Sequence, residues 1–125
     1  MNINIITLFP EIFNSLNYGL LGQALDREDI KINLFNLRDH QLNKHGQIDG
    51  KQYGGGEGMV LMAEPLENAI KNIPSDNLGI VINLSPQGTI FNQKKAKELS
   101  KLKNITIICG RYEGIDERLI SQYVD

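Results

Sequence analysis

The chain has one cysteine, Cys109, in 125 residues, which excludes an internal disulfide framework and any multi-cysteine zinc site and points to a reducing compartment. No apolar run approaches the roughly 18 residues of a membrane span, and the start MNINIITLFPE has neither a basic leader nor a small-residue cleavage site. A cytosolic protein with no membrane partner is therefore expected. Nor does one charge dominate: 13 basic and 15 acidic side chains leave a formal charge of −2, so any contact with a polyanion must be local. What is present is ordinary globular usage, 41% hydrophobic and 22% charged, which excludes disorder. The length gives one domain with a real core and leaves no room for two.

Asn2 to Phe9 is β-branched and apolar almost throughout, the pattern of a strand buried on both faces. Pro10-Glu11 then opens one or two helices ending near Arg27, with Ile12, Phe13, Leu16, Leu20, Leu21 and Leu25 as an apolar stripe broken near Gly19. Ile30 to Leu37 alternates and reads as a second strand. From Arg38 to Gly58 the apolar periodicity is lost, and six glycines and two histidines mark a long loop of the kind that carries function or disorder. Order returns at Met59. Glu64-Pro65 opens a helix with Leu66, Ala69, Ile70 and Ile73 at helical spacing, closed by Pro74. Gly79 to Leu84 is a short apolar strand, Asn92 an N-cap for a helix to about Leu102, Ile105 to Cys109 a buried strand, and Asp116 the start of a final helix. Strands separated by helices cross over in parallel, so the expected fold is α/β with a mainly parallel sheet and helices on both faces.

Ligands of open α/β sheets lie beyond the carboxyl ends of the strands. Two strands here run into unusual loops, Ser85-Pro86-Gln87-Gly88 and Gly110-Arg111-Tyr112-Glu113-Gly114. If those strands are neighbours, both loops open on one crevice, where Gly88, Gly110 and Gly114 let backbone groups approach a ligand closely. Spacing alone leaves this open against ordinary turns, which use the same residues. The run Tyr53-Gly54-Gly55-Gly56-Glu57-Gly58 fits neither phosphate-loop pattern, because Met59 stands where one needs glycine and no lysine followed by a hydroxyl residue comes after. It reads as a flap over a large substrate or as a plain mobile loop. Asp116 and Glu117 suit a helix N-terminus. Glu113, inside the glycine loop ahead of that helix, has no such structural excuse and is the better site candidate. His40 and His45 lack metal-site spacing, and Cys109 reads as a small buried hydrophobe.

Four segments in order, ITLFPEIF, RDHQLNKHGQIDGKQYGGGEGMVL, NLSPQG and ICGRYEGIDER, resemble the bacterial tRNA (guanine-N1)-methyltransferase family over essentially all 125 residues. That family belongs to the knotted SPOUT class, so the resemblance implies a SPOUT-type deep trefoil-knot fold, incomplete here, and a homodimer with active sites at the subunit interface. It implies S-adenosylmethionine held by Leu84, Ser85, Pro86, Gly110, Tyr112, Glu113 and Gly114, and methyl transfer to N1 of guanosine 37, 3′ of the tRNA anticodon. Glu113 matches a family carboxylate near the target guanine and a magnesium site, and Arg111 the GRYEG arginine with an electrostatic role. Arg38, Lys44, His45, Gly55 and Gly56 are the tRNA candidates, Gly56 through its backbone to the base.

By the same resemblance, residues 1–125 form an N-terminal cofactor-binding domain. A third cofactor loop, the general-base aspartate, a linker and a tRNA-binding domain are expected beyond Asp125. Where the family has two acidic residues and two prolines, this chain has Asn43, Gly50, Gln52 and Glu57, which is expected to loosen the flap. Two other functions stay open: a non-catalytic RNA-binding or dimerisation module, and a SPOUT methyltransferase of another RNA.

Overall fold

The computed structural model describes residues 1–40, 49–51, 59–61, 63–84, 88–109 and 114–115. Strands β1 (Asn2–Thr7), β2 (Lys31–Asn36), β3 (Asp49–Lys51), β4 (Met59–Leu61), β5 (Ile80–Asn83), β6 (Asn104–Ile108) and β7 (Gly114–Ile115) alternate with helices α1 (Gly19–Asp26), α2 (Ala63–Lys71), α3 (Ser75–Leu78) and α4 (Gln93–Ser100). Four strands form an all-parallel sheet in the order β2-β1-β6-β5. The expected α/β fold is thus present. β1 lies at its centre, and Asn4 to Leu8 are consecutively buried, as a strand covered on both faces requires.

The connections β1–α1–β2 and β5–α4–β6 each step one strand in the same direction across the sheet, whereas β2–α2–β5 steps back. Right-handed crossovers therefore put α1 and α4 on one face and α2 on the other. On the α2 face Leu66, Ala69, Ile70 and Ile73 pack with Ile6, Ile108, Val81 and Leu37, with Phe9, Phe35 and Leu78 at the margin. The opposite face carries the register partners Ile3, Ile5, Ile105, Ile107, Ile80 and Ile82.

Three expectations change. The stretch after Pro10 is a 3₁₀ helix, Pro10–Asn17, that turns into α1 at Tyr18; Phe13, Leu16, Leu21 and Leu25 are half-buried, but Ile12 and Leu20 are exposed and leave the apolar stripe. Residues 38 to 58 are no uniform loop, since a 3₁₀ turn occupies Leu37–His40 and β3 pairs antiparallel with β4. Between Pro74 and β5 the one-turn helix α3 intervenes. Residues 116–125, with the expected final helix, lie outside the described residues.

A polar row fixes α3 to the sheet. Three successive α3 carbonyls, orphaned because the helix ends there, accept hydrogen bonds from sheet side chains. Asn104 Nδ2 donates to Asp76 O at 3.1 Å, Asn4 Nδ2 to Asn77 O at 2.8 Å and Thr106 Oγ1 to Leu78 O at 2.7 Å. Asn4 Nδ2 also donates to Thr106 Oγ1 at 3.1 Å, and Asn33 Nδ2 donates to Asn4 Oδ1 at 3.2 Å. Among the described residues no buried side-chain N or O lacks a partner. Thr106→Val keeps the shape, strands the Leu78 carbonyl and weakens Asn4, so a loss of about 1–3 kcal/mol is expected in a urea titration. A loss below about 0.5 kcal/mol would mean that water replaces the hydroxyl.

Candidate cofactor and RNA site

The condition for a shared crevice is met. β5 and β6 are parallel neighbours with Asn83 opposite Ile108, so the chain leaves both strands, at Leu84 and at Cys109, on one edge of the sheet. β1 ends on the same edge, where the Cys109 amide donates to Ile6 O at 3.0 Å. So does β2, which runs into Leu37 and Arg38. Leu84 is 71% exposed, which leaves its aliphatic side chain open for a ligand at the point where the SPQG segment begins.

The small sheet β3-β4-β7 ties the two glycine-rich segments together. Lys51 faces Met59 in the antiparallel pair, so residues 52–58, which contain the glycine run, join β3 to β4 at that end. β7 runs parallel to β4 with Gly114 opposite Val60, so the chain enters β7 from residues 110–113 at the same end. Five peptide units separate Cys109 from Gly114 and reach at most about 17 Å. Gly114, and the neighbouring start of β4 one strand spacing further on, are therefore tethered to the carboxyl edge. Two- and three-residue strands carry no hydrophobic pattern, and no sequence signal marks this pairing.

Arg38 emerges at the end of β2, three strands from Leu84, or about 14 Å at ordinary strand spacing. Its guanidinium lies 5.2 Å from the centroid of the Phe9 ring, a cation–π distance, and its amide donates to Asn36 Oδ1 at 2.9 Å. Phe9 escaped the sequence reading as a site residue because it reads simply as core. Cys109 is free and half-buried, and burial pushes its thiol pKa up, which leaves it protonated at neutral pH and a poor nucleophile. Among the described residues no group of three His, Cys, Asp or Glu could hold a metal ion.

Of the site residues that the resemblance implies, Leu84, Arg38 and Gly114 fall within the described residues. The first two lie on the carboxyl edge, and Gly114 is the first residue of β7. Ser85, Pro86, Gly110, Arg111, Tyr112, Glu113, Lys44, His45, Gly55 and Gly56 lie outside them.

Comparison with known proteins agrees with this fold. The family model described as tRNA (Guanine-1)-methyltransferase TrmD matches residues 1–125. A tRNA (guanine-N(1)-)-methyltransferase of Clostridium botulinum strain Kyoto is 47% identical over the whole chain, which covers 52% of that relative. One from Clostridium novyi is 48% identical with the same coverage. The crystal structure of the tRNA (m1G37) methyltransferase from Aquifex aeolicus superposes with a TM-score of 0.84 at 36% identity, covering 97% of this chain and 56% of that one. The chain spans about half the length of the curated relatives it matches. With all 125 residues matched by the family model, the chain belongs to the TrmD family of tRNA (guanine-1)-methyltransferases.

Proposed function

We propose that this chain is the methyl-donor half of an enzyme that methylates N1 of guanosine 37, next to the anticodon of tRNA. The observation that carries the reading is the pairing of β5 with β6, which sets the exits toward Ser85-Pro86 and toward Gly110-Arg111-Tyr112-Glu113 side by side on one edge. The names of the relatives, and that of the Aquifex aeolicus structure with its m1G37 product, support the same chemistry.

The exposed side chain of Leu84 at that edge fits an apolar ligand surface, and the glycine-bounded exit of β6 fits a ligand read by main chain. Leu84, Ser85, Pro86, Gly110, Tyr112, Glu113 and Gly114 would hold S-adenosylmethionine, which when bound supplies a methyl group on a positively charged sulfur. Guanine N1 carries a proton and attacks only as that proton leaves, so a general base in reach of the guanine is the chemical requirement, and the aspartate expected beyond Asp125 would meet it. Glu113 is assigned the position next to the guanine, with magnesium as its partner, and Arg111 stabilises charge there. The target base must be splayed from the anticodon stack to be read. Gly55 and Gly56 approach it, while Arg38, over the Phe9 ring, meets the RNA beside Lys44 and His45. A homodimer with the trefoil knot of its class, acting in the cytoplasm, completes the proposal, with residues 1–125 as the N-terminal domain.

The test is methyl transfer by the complete gene product from labelled S-adenosylmethionine to unmodified tRNA with guanosine at position 37, beside an adenosine control. Label on N1 of that guanosine alone is expected. Cofactor binding without transfer to either tRNA would overturn the reading in favour of another RNA target or a binding module.

A further inference from the structure

The chain is acidic overall, yet five of its 13 basic residues and only one of its 15 acidic ones fall between Gln93 and Lys103. This stretch carries +4 and the rest of the chain −6. Within α4 the half-buried Ala96 and Leu99 mark the inward side. Lys94, Lys97 and Lys101, at spacings of three and four, fall on the opposite side of the helix and are all exposed. The helical rise makes them a row about 10 Å long. Glu98 is the one carboxylate on the helix, on the shoulder of this row, and it lies 4.0 Å from Lys95. Among the described residues none of the three row lysines has an acidic partner within 4.0 Å.

The row works against its own helix at one end. Like charges three and four residues apart repel, and Lys94, with no acidic residue in the first turn, stands at the positive end of the helix dipole, where a cation is unfavourable, whereas Lys97 in the last turn and Lys101 at the C-cap stand where a cation is favourable. A polyanion along the helix relieves the mutual repulsion and the cost at Lys94. Chain direction fixes where it would run, because α4 follows the exit of β5 at the carboxyl edge and returns to the start of β6 at the opposite edge.

We propose that Lys94, Lys97 and Lys101 form a backbone-binding stripe that holds about three consecutive phosphates of the RNA substrate, one per lysine, and leads the strand toward the carboxyl-edge site. Phosphate spacing along one strand, about 3.4 Å of axial rise per charge, fits three charges into the length of the row. The proposal rests on the tRNA reading above and adds a surface that contacts no base, so it contributes affinity and position and no sequence choice.

The experiment compares the complete gene product with its triple variant K94Q/K97Q/K101Q for tRNA binding and methylation between 50 and 200 mM salt. Glutamine preserves helix propensity, and unchanged S-adenosylmethionine affinity shows that the variant is folded. The expected result is a slope of log affinity against log salt shallower by about 2 to 3, a KM for tRNA raised about tenfold at low salt and an unchanged kcat. The triple arginine variant retains the wild-type slope, and so does Lys31→Gln at the start of β2. An unchanged slope and KM in the glutamine variant, with wild-type enzyme active on guanosine 37, would overturn the stripe alone. A wild type that methylates no tRNA would instead overturn the function on which it rests.

Discussion

Gly79→Ala is expected to destabilise the domain by about 3 kcal/mol or more. Gly79 ends α3 and opens β5 with φ +60° and ψ −152°, a region that is essentially restricted to glycine and costs any other residue about 1–3 kcal/mol. Strain is only the first contribution. A Cβ on this backbone would fall on the carbonyl oxygen of Asn104, at the start of β6, and neither group is the far end of a flexible side chain that can swing away. Relief requires α3 to lift from the sheet, which breaks the hydrogen bonds from Asn104 to Asp76 O, from Asn4 to Asn77 O and from Thr106 to Leu78 O. The measurement is the thermal or urea transition of the complete gene product, followed through S-adenosylmethionine binding. A shift of less than about 1 kcal/mol would show that the turn re-forms with another backbone geometry and that the α3 carbonyls do not depend on it.

The same corner shows where sequence reading reaches and where it stops. β1 and β6 were legible because short stretches that are β-branched and apolar almost throughout have few other uses, and their parallel sense follows once helices separate them. The N-cap at Asn92 was legible too, and its Oδ1 accepts from the Lys95 amide at 2.9 Å, because an asparagine ahead of a polar helix carries that chemistry locally. α3 escaped because four residues after a proline hold no period; it exists through tertiary hydrogen bonds to Asn4, Asn104 and Thr106, none of which is near it in sequence. The β4–β7 pairing escaped for the same reason, being set by residues more than 50 positions apart. For the site, the sequence identified the segments and made their convergence conditional on two strands being neighbours. Only the sheet order decides that condition.

Glu113→Ala in the complete gene product is expected to lower kcat about 10²- to 10³-fold and to raise the dissociation constant for S-adenosylmethionine far less, by about tenfold at most, since Glu113 is one of seven residues proposed to hold the cofactor. The magnitude is that of removing one preorganised charged group from a reacting centre. The acidic residues that follow it, Asp116 and Glu117, suit a helix start and need no functional explanation; Glu113 falls between Gly110 and Gly114, on the short stretch that joins the carboxyl edge at Cys109 to Gly114 opposite Val60. That stretch reaches the small sheet at the end from which the glycine-run connection also departs, so the carboxylate belongs to a part of the chain tied to both the carboxyl edge and the proposed base-binding segment. Glu113→Gln separates charge from hydrogen bonding. A glutamine as inactive as the alanine shows that negative charge is needed, either to steer the N1 proton toward the general base or to hold magnesium, and chelation distinguishes these by slowing the wild type while leaving the variants' residual rate unchanged. Equal losses in turnover and cofactor affinity would assign Glu113 to the shape of the loop and end its role in the chemistry.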